Sequence, residues 1–266
     1  MNKIFDTHAH YTDARFDEYP GGPDALLDEM MSDSVGNIIN VSVDTANSAA
    51  AVAQALRHPG MYAAVGVHPT EAHKEKSLAD AIASLRILLD RRAENRIVAV
   101  GEIGLDYHYD DTDKPLQGAF FEAQLALAEE YGLPVLIHDR DAHGDCFEAV
   151  IRRPRSFGVF HSYSGSAEMA AELVRRGWYI SFSGVVSFKN APRVRQVASS
   201  VPLSRILVET DAPYLAPEPF RGRMNRSDYI AHTAAALGSV FGLSGDEIIK
   251  ITSDNAKNLF LGGLLQ

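Results

Sequence analysis

Short apolar stretches alternate with longer amphipathic stretches along most of this chain of 266 residues. The apolar stretches are rich in β-branched residues and predict eight β-strands, at residues 3–8, 37–43, 61–67, 96–101, 133–138, 157–161, 178–183 and 205–209. The stretches between them carry apolar residues at helical spacing, and further helical stretches follow the last strand. A strand and a helix therefore recur about every 33 residues, which is the size of one βα unit.

Strands that alternate with helices predict a parallel sheet, and eight such units close most naturally into a (β/α)8 TIM barrel. An open, doubly wound α/β sheet is the alternative. The turn after the first strand, at residues 7–10, lacks the glycine-rich fingerprint of a dinucleotide site, so a nucleotide cofactor is not favoured. The length allows two domains, but we find no flexible linker and expect a single barrel domain over residues 1–266.

Composition and charge limit the classes of protein to consider. Hydrophobic residues make up 46% and charged residues 23%, which is typical of globular proteins. The net charge of −10 argues against a protein that coats nucleic acid through a broad basic surface, although it is compatible with an enzyme that has a local basic patch. Cys146 is the only cysteine, which excludes an internal disulfide and a cysteine-rich metal site.

We also predict where the protein resides. No apolar stretch is long enough for a transmembrane helix, and the first residues lack the apolar segment of a signal peptide. We therefore expect a cytoplasmic protein without membrane association, and the sequence predicts no protein partner.

Six side chains of the types that bind metals stand at the ends of the predicted strands: His8, His10, Glu102, His138, His161 and Asp211. In a barrel, the C-terminal ends of the strands meet at one mouth, where active sites lie. Each residue alone has an ordinary explanation, such as a buried core histidine, a carboxylate in an ion pair or, for Asp211, a helix N-cap. Six together would be costly to bury unpaired, whereas cations would neutralise the carboxylates and bind the imidazoles.

The chemistry of this set predicts two divalent cations per chain. It contains oxygen and imidazole ligands but no sulfur, which favours Zn²⁺, Mn²⁺, Mg²⁺ or Fe²⁺. His8 and His10 are two residues apart on a strand, so both face the same side and can bind one ion. Six ligands are too many for one catalytic ion with an open position, and Glu102, central among the strands, is the best bridge between two ions. Such pairs are typical of phosphoester and amide hydrolysis.

Five motifs carry a resemblance to a known family: Asp6-Thr7-His8-Ala9-His10, Gly101-Glu102-Ile103-Gly104-Leu105-Asp106-Tyr107, Leu133-Pro134-Val135-Leu136-Ile137-His138, His161-Ser162-Tyr163-Ser164-Gly165 and Glu209-Thr210-Asp211-Ala212-Pro213-Tyr214. In their order and spacing across nearly the whole chain, they resemble the TatD family of metal-dependent deoxyribonucleases. Residues 66–69 and 124–128 fit the same family.

The resemblance implies a TIM-barrel metallohydrolase of the amidohydrolase type with DNA as its substrate. It implies one metal held by His8, His10, Glu102 and Asp211, and a second held by Glu102, His138 and His161. It further implies that the catalytic residues are Glu102 and Asp211, with Asp211 as the general base. A carboxylate beside a metal can accept the proton of a water molecule that the metal has acidified, so this role is chemically reasonable.

The chain departs from the family pattern in the loop after the last strand. The family usually has an Arg-Asn-Glu-Pro-like stretch there, whereas this chain has Arg226-Ser227 in place of the Glu-Pro pair. The loop also contains Arg221 and Arg223, in a region where barrels often bind phosphate. We predict that these arginines bind phosphates of the substrate; the alternative is a solvated basic loop.

Two further residues are candidates for substrate binding. His68 ends the third predicted strand and points to the same mouth, so we predict a contact to a substrate phosphate, with a supporting role behind the metal ligands as the alternative. Tyr107 follows Glu102 closely and is predicted to stack on a base or sugar, with a packed loop as the alternative.

Three functions from different classes are compatible with these residues. A two-metal deoxyribonuclease is the first. A small-molecule amidohydrolase or lactonase is the second, because fold and metals do not fix the substrate. A non-catalytic metal-binding protein is disfavoured, because a structural site is normally closed with four ligands.

Overall fold

The computed structural model describes residues 2–262 and has the predicted (β/α)8 barrel architecture. The strands form one parallel sheet in chain order: β1 (Ile4–Ala9), β2 (Val35–Val41), β3 (Met61–Val65), β4 (Ile97–Asp106), β5 (Val135–Arg140), β6 (Gly158–Phe160), β7 (Tyr179–Phe182) and β8 (Ile206–Val208). Alternating strand and helix patterns thus correctly predict the barrel, as expected when each strand needs a crossover helix before its parallel neighbour.

Nine α-helices within the described residues surround the strands: α1 (Gly22–Asp33), α2 (Thr45–Arg57), α3 (Leu78–Leu89), α4 (Lys114–Tyr131), α5 (His143–Ile151), α6 (Ala167–Arg175), α7 (Pro192–Ser200), α8 (Ile230–Phe241) and α9 (Gly245–Ala256). Side chains define several of their N-termini: Ser77 caps α3, Ser166 caps α6, and Ser244 forms a capping box with Glu247 on α9. None of the helices between residues 2 and 262 combines the length and apolar character that crossing a membrane requires.

The core has two parts. The larger cluster joins strand residues to the inner faces of the helices, as Leu85, Leu125 and Leu173 illustrate. The smaller cluster draws one or two apolar residues from each of several strands and includes Phe260 from the turn that follows α9. The Phe260 ring lies 6.4 Å from the ring of Phe5 on β1, so the smaller cluster fills the inside of the barrel and the C-terminal turn covers one end.

The barrel closes between β1 and the segment that follows β8. Thr7 Oγ1 donates to the carbonyl of Val208 at 3.0 Å, and the amide of Asp211 donates to the carbonyl of His8 at 2.8 Å. The amide of His10 donates to the carbonyl of Ala212 at 2.7 Å. These bonds fix the first and last predicted metal ligands next to each other at the C-terminal mouth.

One predicted strand boundary is wrong in a way that matters for the site. We expected the fourth strand to end at Gly101 with Glu102 as the residue after it, but β4 continues to Asp106. Its last residues pair with β5, and Gly104 (φ +148°) lies against His138 so closely that a Cβ atom would be 1.9 Å from the His138 carbonyl oxygen. Glu102 therefore lies within a fully buried strand, where the pairing of β4 with β5 is irregular, and its amide donates to the Ser42 carbonyl at 3.2 Å.

Candidate metal centre

The carboxylate of Glu102 lies at the centre of the barrel mouth, with imidazoles on both sides. Its Oε2 is 3.2 Å from Nε2 of His8 and 3.5 Å from Nε2 of His10. Its Oε1 is 2.7 Å from Nδ1 of His138 and 2.7 Å from Nε2 of His161. Each oxygen therefore faces a different pair of histidines, although the side chain as a whole is only 3% exposed.

Asp211 adds a second carboxylate on the side of His8 and His10. Its Oδ1 lies 3.3 Å from Nε2 of His10 and 3.8 Å from Nε2 of His8. The backbone of Asp211 is in the left-handed region (φ +58°), a conformation that non-glycine residues adopt mainly where surrounding contacts impose it. Asn225 supplies such contacts, because its amide donates to the carbonyls of Thr210 and Tyr214. At 17% exposure, the carboxylate of Asp211 is more open to solvent than that of Glu102.

Three of the four histidines place their outward nitrogen beside a hydrogen-bond acceptor: His10 Nδ1 is 2.9 Å from the Val41 carbonyl, His138 Nε2 is 3.1 Å from Asp106 Oδ2, and His161 Nδ1 is 3.2 Å from Glu209 Oε1. In neutral imidazole, the nitrogen beside the acceptor carries the proton, so the inward nitrogen presents a lone pair. Metal-binding histidines in proteins are held in this way. His8 differs, because its buried Nδ1 has no partner among residues 2–262.

The charges of the cluster depend on one another. Burial would raise the pKa of Glu102, but the imidazoles of His161, His8 and His68 lower it well below its ordinary value. Burial would lower the pKa of His161, but the carboxylates of Glu102 and Glu209 raise it well above its ordinary value. The Glu102 carboxylate is thus ionised and requires positive charge beside it, which protons or metal cations can supply.

The donor set fits divalent cations. Two groups of ligand atoms that lie within 4.8 Å of one another are His8, His10 and Asp211, and His8, Glu102 and His161. A third group combines His68 with Glu102 and His138. Oxygen and imidazole donors with inward lone pairs suit Zn²⁺, Mn²⁺ and Mg²⁺, in keeping with the sequence-based expectation.

The hydrogen bonds of His68 distinguish it from the other histidines in the mouth. Its Nδ1 accepts the backbone N–H of Thr70 at 3.2 Å and lies 2.7 Å from the Thr70 hydroxyl. A nitrogen that accepts carries no proton, so in the neutral ring Nε2 does. Nε2 lies 3.6 Å from Oε1 of Glu102. Burial, together with the nearby His138, lowers the pKa of His68 to about 3, so the ring is neutral, and in the tautomer that the Thr70 amide favours it offers its Nε2–H as a donor.

Two cavities of about 410 Å³ each open beside the cluster and share His138, Arg140, His161, Asp211 and Tyr214. His68, Glu102 and Asp106 also line the first cavity, together with Asp13 and Glu71. The second cavity extends over Ser162, Ser183 and the apolar side chains of Tyr163, Phe182 and Leu215. Both volumes are in the range of small-ligand sites in proteins.

Three of the predicted substrate contacts lie outside both cavities. The hydroxyl of Tyr107 donates to Asp145 at 2.7 Å, and its ring lies 4.1 Å from the ammonium group of Lys114. The guanidinium group of Arg221 stacks 4.4 Å from the Phe188 ring. Arg223 is exposed and lies 5.8 Å from the ring of Phe220.

Arg226, from the same loop, is already paired. It binds Glu29 at 2.7 Å and Asp228 at 2.6 Å. The structure therefore brings the six predicted ligands and His68 together, but not Tyr107, Arg221 or Arg223.

Sequence reasoning missed Arg140 and the role of Asp106. Arg140 is two residues after His138 on β5, and residues two apart on a strand share a face. That spacing was a usable signal for a cation at the mouth. The contact of Asp106 with His138 had no such signal, because it depends on the register between β4 and β5.

Comparison with known proteins agrees with these observations. The family model described as "TatD related DNase" matches residues 5–261. A metal-dependent hydrolase of Bacillus subtilis (strain 168), YabD, is 35% identical over 261 residues, which cover 97% of this chain and 98% of the relative.

Solved structures share the fold. The crystal structure of YjjV, a TatD homologue from Escherichia coli K12, superimposes with a TM-score of 0.86 at 34% identity and covers 97% of both chains. A PTE-like lactonase mutant from Deinococcus radiodurans superimposes with a TM-score of 0.65 at 14% identity over 97% of this chain and 95% of that one. At that identity the similarity concerns the fold alone.

Proposed function

This chain belongs to the TatD-related DNase family and is a metal-dependent hydrolase, and on that premise we propose that it hydrolyses phosphodiester bonds of DNA with two divalent cations. His8, His10, Glu102 and Asp211 would hold one cation, and Glu102, His138 and His161 the other. The family description supports the substrate, and the ligand geometry supports the chemistry.

The observation that carries the proposal is the division of the Glu102 carboxylate. Oε2 faces His8 and His10, and Oε1 faces His138 and His161. A carboxylate that serves two sets of imidazoles is suited to bridge two cations. If Glu102 only formed a buried ion pair, imidazoles on one side of its carboxylate would be enough.

When bound, the cations supply Lewis acidity that acidifies water and neutralises charge on the phosphate. Asp211 accepts the proton of the water molecule that attacks phosphorus. Burial would raise the pKa of Asp211, but the hydrogen bond from His10 and the nearby His161 lower it, so Asp211 is ionised and able to accept a proton. As the new P–O bond forms, the bond to the leaving oxygen breaks, and that oxygen takes up the proton that Asp211 accepted, which restores the carboxylate.

His68 would support the reaction as a donor. Its Nε2–H faces the space beside Glu102, where it can bond a phosphate oxygen whose charge grows during attack. Tyr107, Arg221 and Arg223 lie outside the two cavities, so we propose contacts between them and nucleotides that flank the cleaved bond. Arg221 and Arg223 are exposed and have no carboxylate partner within residues 2–262, which supports such a role.

A small-molecule amidohydrolase or lactonase is the second candidate. The observation in its favour is the second cavity, because an open cleft of about 410 Å³ with largely apolar walls suits a compact neutral substrate. Both candidates use the same ligand set, so only the substrate separates them.

The deciding experiment compares substrates on protein freed of metal by a chelator and then loaded with Zn²⁺, Mn²⁺ or Mg²⁺ in turn. End-labelled DNA, an aryl phosphodiester and a lactone are offered to each preparation. We expect the two phosphodiesters to be cleaved in a metal-dependent way and the lactone to be a poor substrate. Metal-dependent hydrolysis of the lactone alone would favour the second candidate.

A further inference from the structure

The two cavities beside the metal ligands share one cationic side chain. Arg140 lines both, and within residues 2–262 no other arginine or lysine lines either of them. The carboxylates around it are numerous, since Asp13, Glu71 and Asp106 also line the first cavity. A lone cation at this position is therefore a specific feature of the mouth rather than part of a basic surface.

The guanidinium group of Arg140 makes no hydrogen bond or ion pair within residues 2–262, although its charge contributes to lowering the pKa of Asp106. Arg140 is exposed, and it makes no ion pair within 4.0 Å to any carboxylate in the described part of the chain. The guanidinium carbon of Arg140 lies 5.6 Å from the centroid of the Tyr109 ring. By contrast, Arg226 in the loop after β8 has two carboxylate partners. The charge of Arg140 is thus available to a ligand.

The position of Arg140 is fixed by the strand that also carries a metal ligand. Arg140 is the last residue of β5, two residues after His138, so both side chains leave the same face. Its carbonyl accepts the amide of Tyr107 at 2.9 Å, and its backbone pairs with Asp106 on β4. These contacts fix the backbone of Arg140, so its guanidinium group is held next to the metal ligands from a rigid strand end.

We propose that Arg140 binds the phosphate group of the bond that is cleaved, and that the second cavity holds the nucleoside attached to that phosphate. This inference rests on the proposed function and names a subsite within it. The planar fork of arginine matches two phosphate oxygens, which a lysine or a single N–H donor does not. The walls formed by Tyr163, Phe182 and Leu215 would contact the base, and the hydroxyls of Ser162 and Ser183 its polar edge.

The test uses Arg140→Gln, Arg140→Lys and a control that removes a charge elsewhere. Arg155→Gln is the control, because Arg155 is 79% exposed and lines neither cavity. Binding of thymidine 5′-monophosphate and of thymidine to each metal-loaded protein is measured by calorimetry, together with kcat and KM for the aryl phosphodiester and for a neutral lactone. Metal content and thermal unfolding are recorded for every variant.

We expect Arg140→Gln to weaken binding of the nucleotide and to raise KM for the phosphodiester about 10- to 100-fold, as loss of a hydrogen-bonded charge pair does. Thymidine binding, metal content and any turnover of the lactone should stay unchanged. Arg140→Lys should recover part of the loss, and Arg155→Gln should resemble the wild type.

Three results would overturn the inference: no nucleotide binding by the wild type, nucleotide binding by Arg140→Gln within about twofold of the wild type, or equal losses on phosphodiester and lactone with a lowered unfolding temperature. Failure of the proposed function gives a different pattern. If neither the wild type nor any variant cleaves DNA, but nucleotide binding depends on Arg140, the phosphate subsite is supported and the deoxyribonuclease proposal is wrong.

Discussion

The hydroxyl of Ser227 donates a hydrogen bond of 2.7 Å to Oδ2 of Asp6, a carboxylate with no exposure to solvent. Tyr11 completes a chain of donors, because its hydroxyl lies 2.7 Å from the Ser227 hydroxyl and accepts the Ser227 amide at 3.0 Å. Asp6 also accepts the amide of His8 at 3.2 Å and the hydroxyl of Thr210 at 2.6 Å. The carboxylate therefore ties the strand of His8 to the segment of Asp211.

Ser227 stands where the family pattern has proline. Its hydroxyl and its backbone N–H are two hydrogen-bond donors that a proline at this position would lack. We expect Ser227→Ala to lower the free energy of unfolding by about 1–3 kcal/mol, because Asp6 loses one donor in a site that water does not reach. Urea denaturation checks this. Ser239→Ala is the control, since Ser239 is exposed on α8 and bonds only the carbonyl of Ala235. Equal stability of both variants would contradict the role given to Ser227.

The loss in the free energy of unfolding that Ser227→Ala causes should also depend on pH. Burial raises the pKa of Asp6 from 3.8 to about 6, so the folded protein holds a proton that the unfolded chain releases between these values. The contribution of Asp6 to stability is therefore fully present below about pH 4 and is lost as the pH rises through about 6. Above that pH the carboxylate is charged and needs its donors more, so the variant should lose more stability at about pH 8 than at about pH 5.

The barrel and the convergence of the metal-ligand candidates could be predicted from the sequence, because both follow from the periodic alternation of strand and helix patterns. Alternation of strand and helix patterns predicts the barrel, and the barrel places the ends of β1, β5 and β8 at one mouth whatever the details of packing. The predicted end of β4 was wrong because the charged Glu102 interrupts an apolar stretch, which Ile103 and Leu105 then continue within the same strand.

The hydrogen bonds that orient the histidine rings were harder to predict from the sequence. Glu209 lies directly after β8, and its Oε1 is 3.2 Å from Nδ1 of His161, a contact that the order of residues in the sequence does not reveal. The Val41 carbonyl next to His10 and the Thr70 amide next to His68 carry no sequence signal, because any residue supplies these groups. They depend on backbone register and ring rotation, which a pattern of residue types does not encode.

Glu102→Gln should reduce the occupancy of both cations together. Glutamine keeps the shape of the side chain but has one oxygen and no charge to share between His8 and His161. Metal analysis after dialysis at a fixed free-metal concentration measures the effect. His138→Ala is the matched comparison and should weaken mainly one cation. Two full equivalents of metal in Glu102→Gln would exclude a bridging role.

Asp106→Asn should weaken only the cation next to His138, since Asp106 Oδ2 lies 3.1 Å from the outward Nε2 of that ring. Loss of such a carboxylate typically lowers metal affinity about 10- to 100-fold. Competition with a chromogenic chelator measures this without reference to turnover. Asp110→Asn, an exposed change of the same kind in the next loop, should bind metal like the wild type.

Asp211→Asn tests the proposed base. Asparagine can occupy the same position beside His10, but it cannot accept a proton, so kcat should fall about 10²- to 10⁴-fold with a smaller change in KM. Asp211 also belongs to the ligand set, so loss of metal could mimic loss of a base. Metal titration to saturation before each assay separates the two effects.

A rate that recovers when the metal concentration is raised would show that Asp211 acts only as a ligand. A rate that stays low at full occupancy requires a proton acceptor at this position. Glu209 is not placed for that task, because its Oε1 is bound to His161 and to the amide of Ser162, and its other oxygen is buried outside both cavities. Asp211, at 17% exposure and lining both cavities, is the carboxylate that a water molecule and a phosphate can reach together.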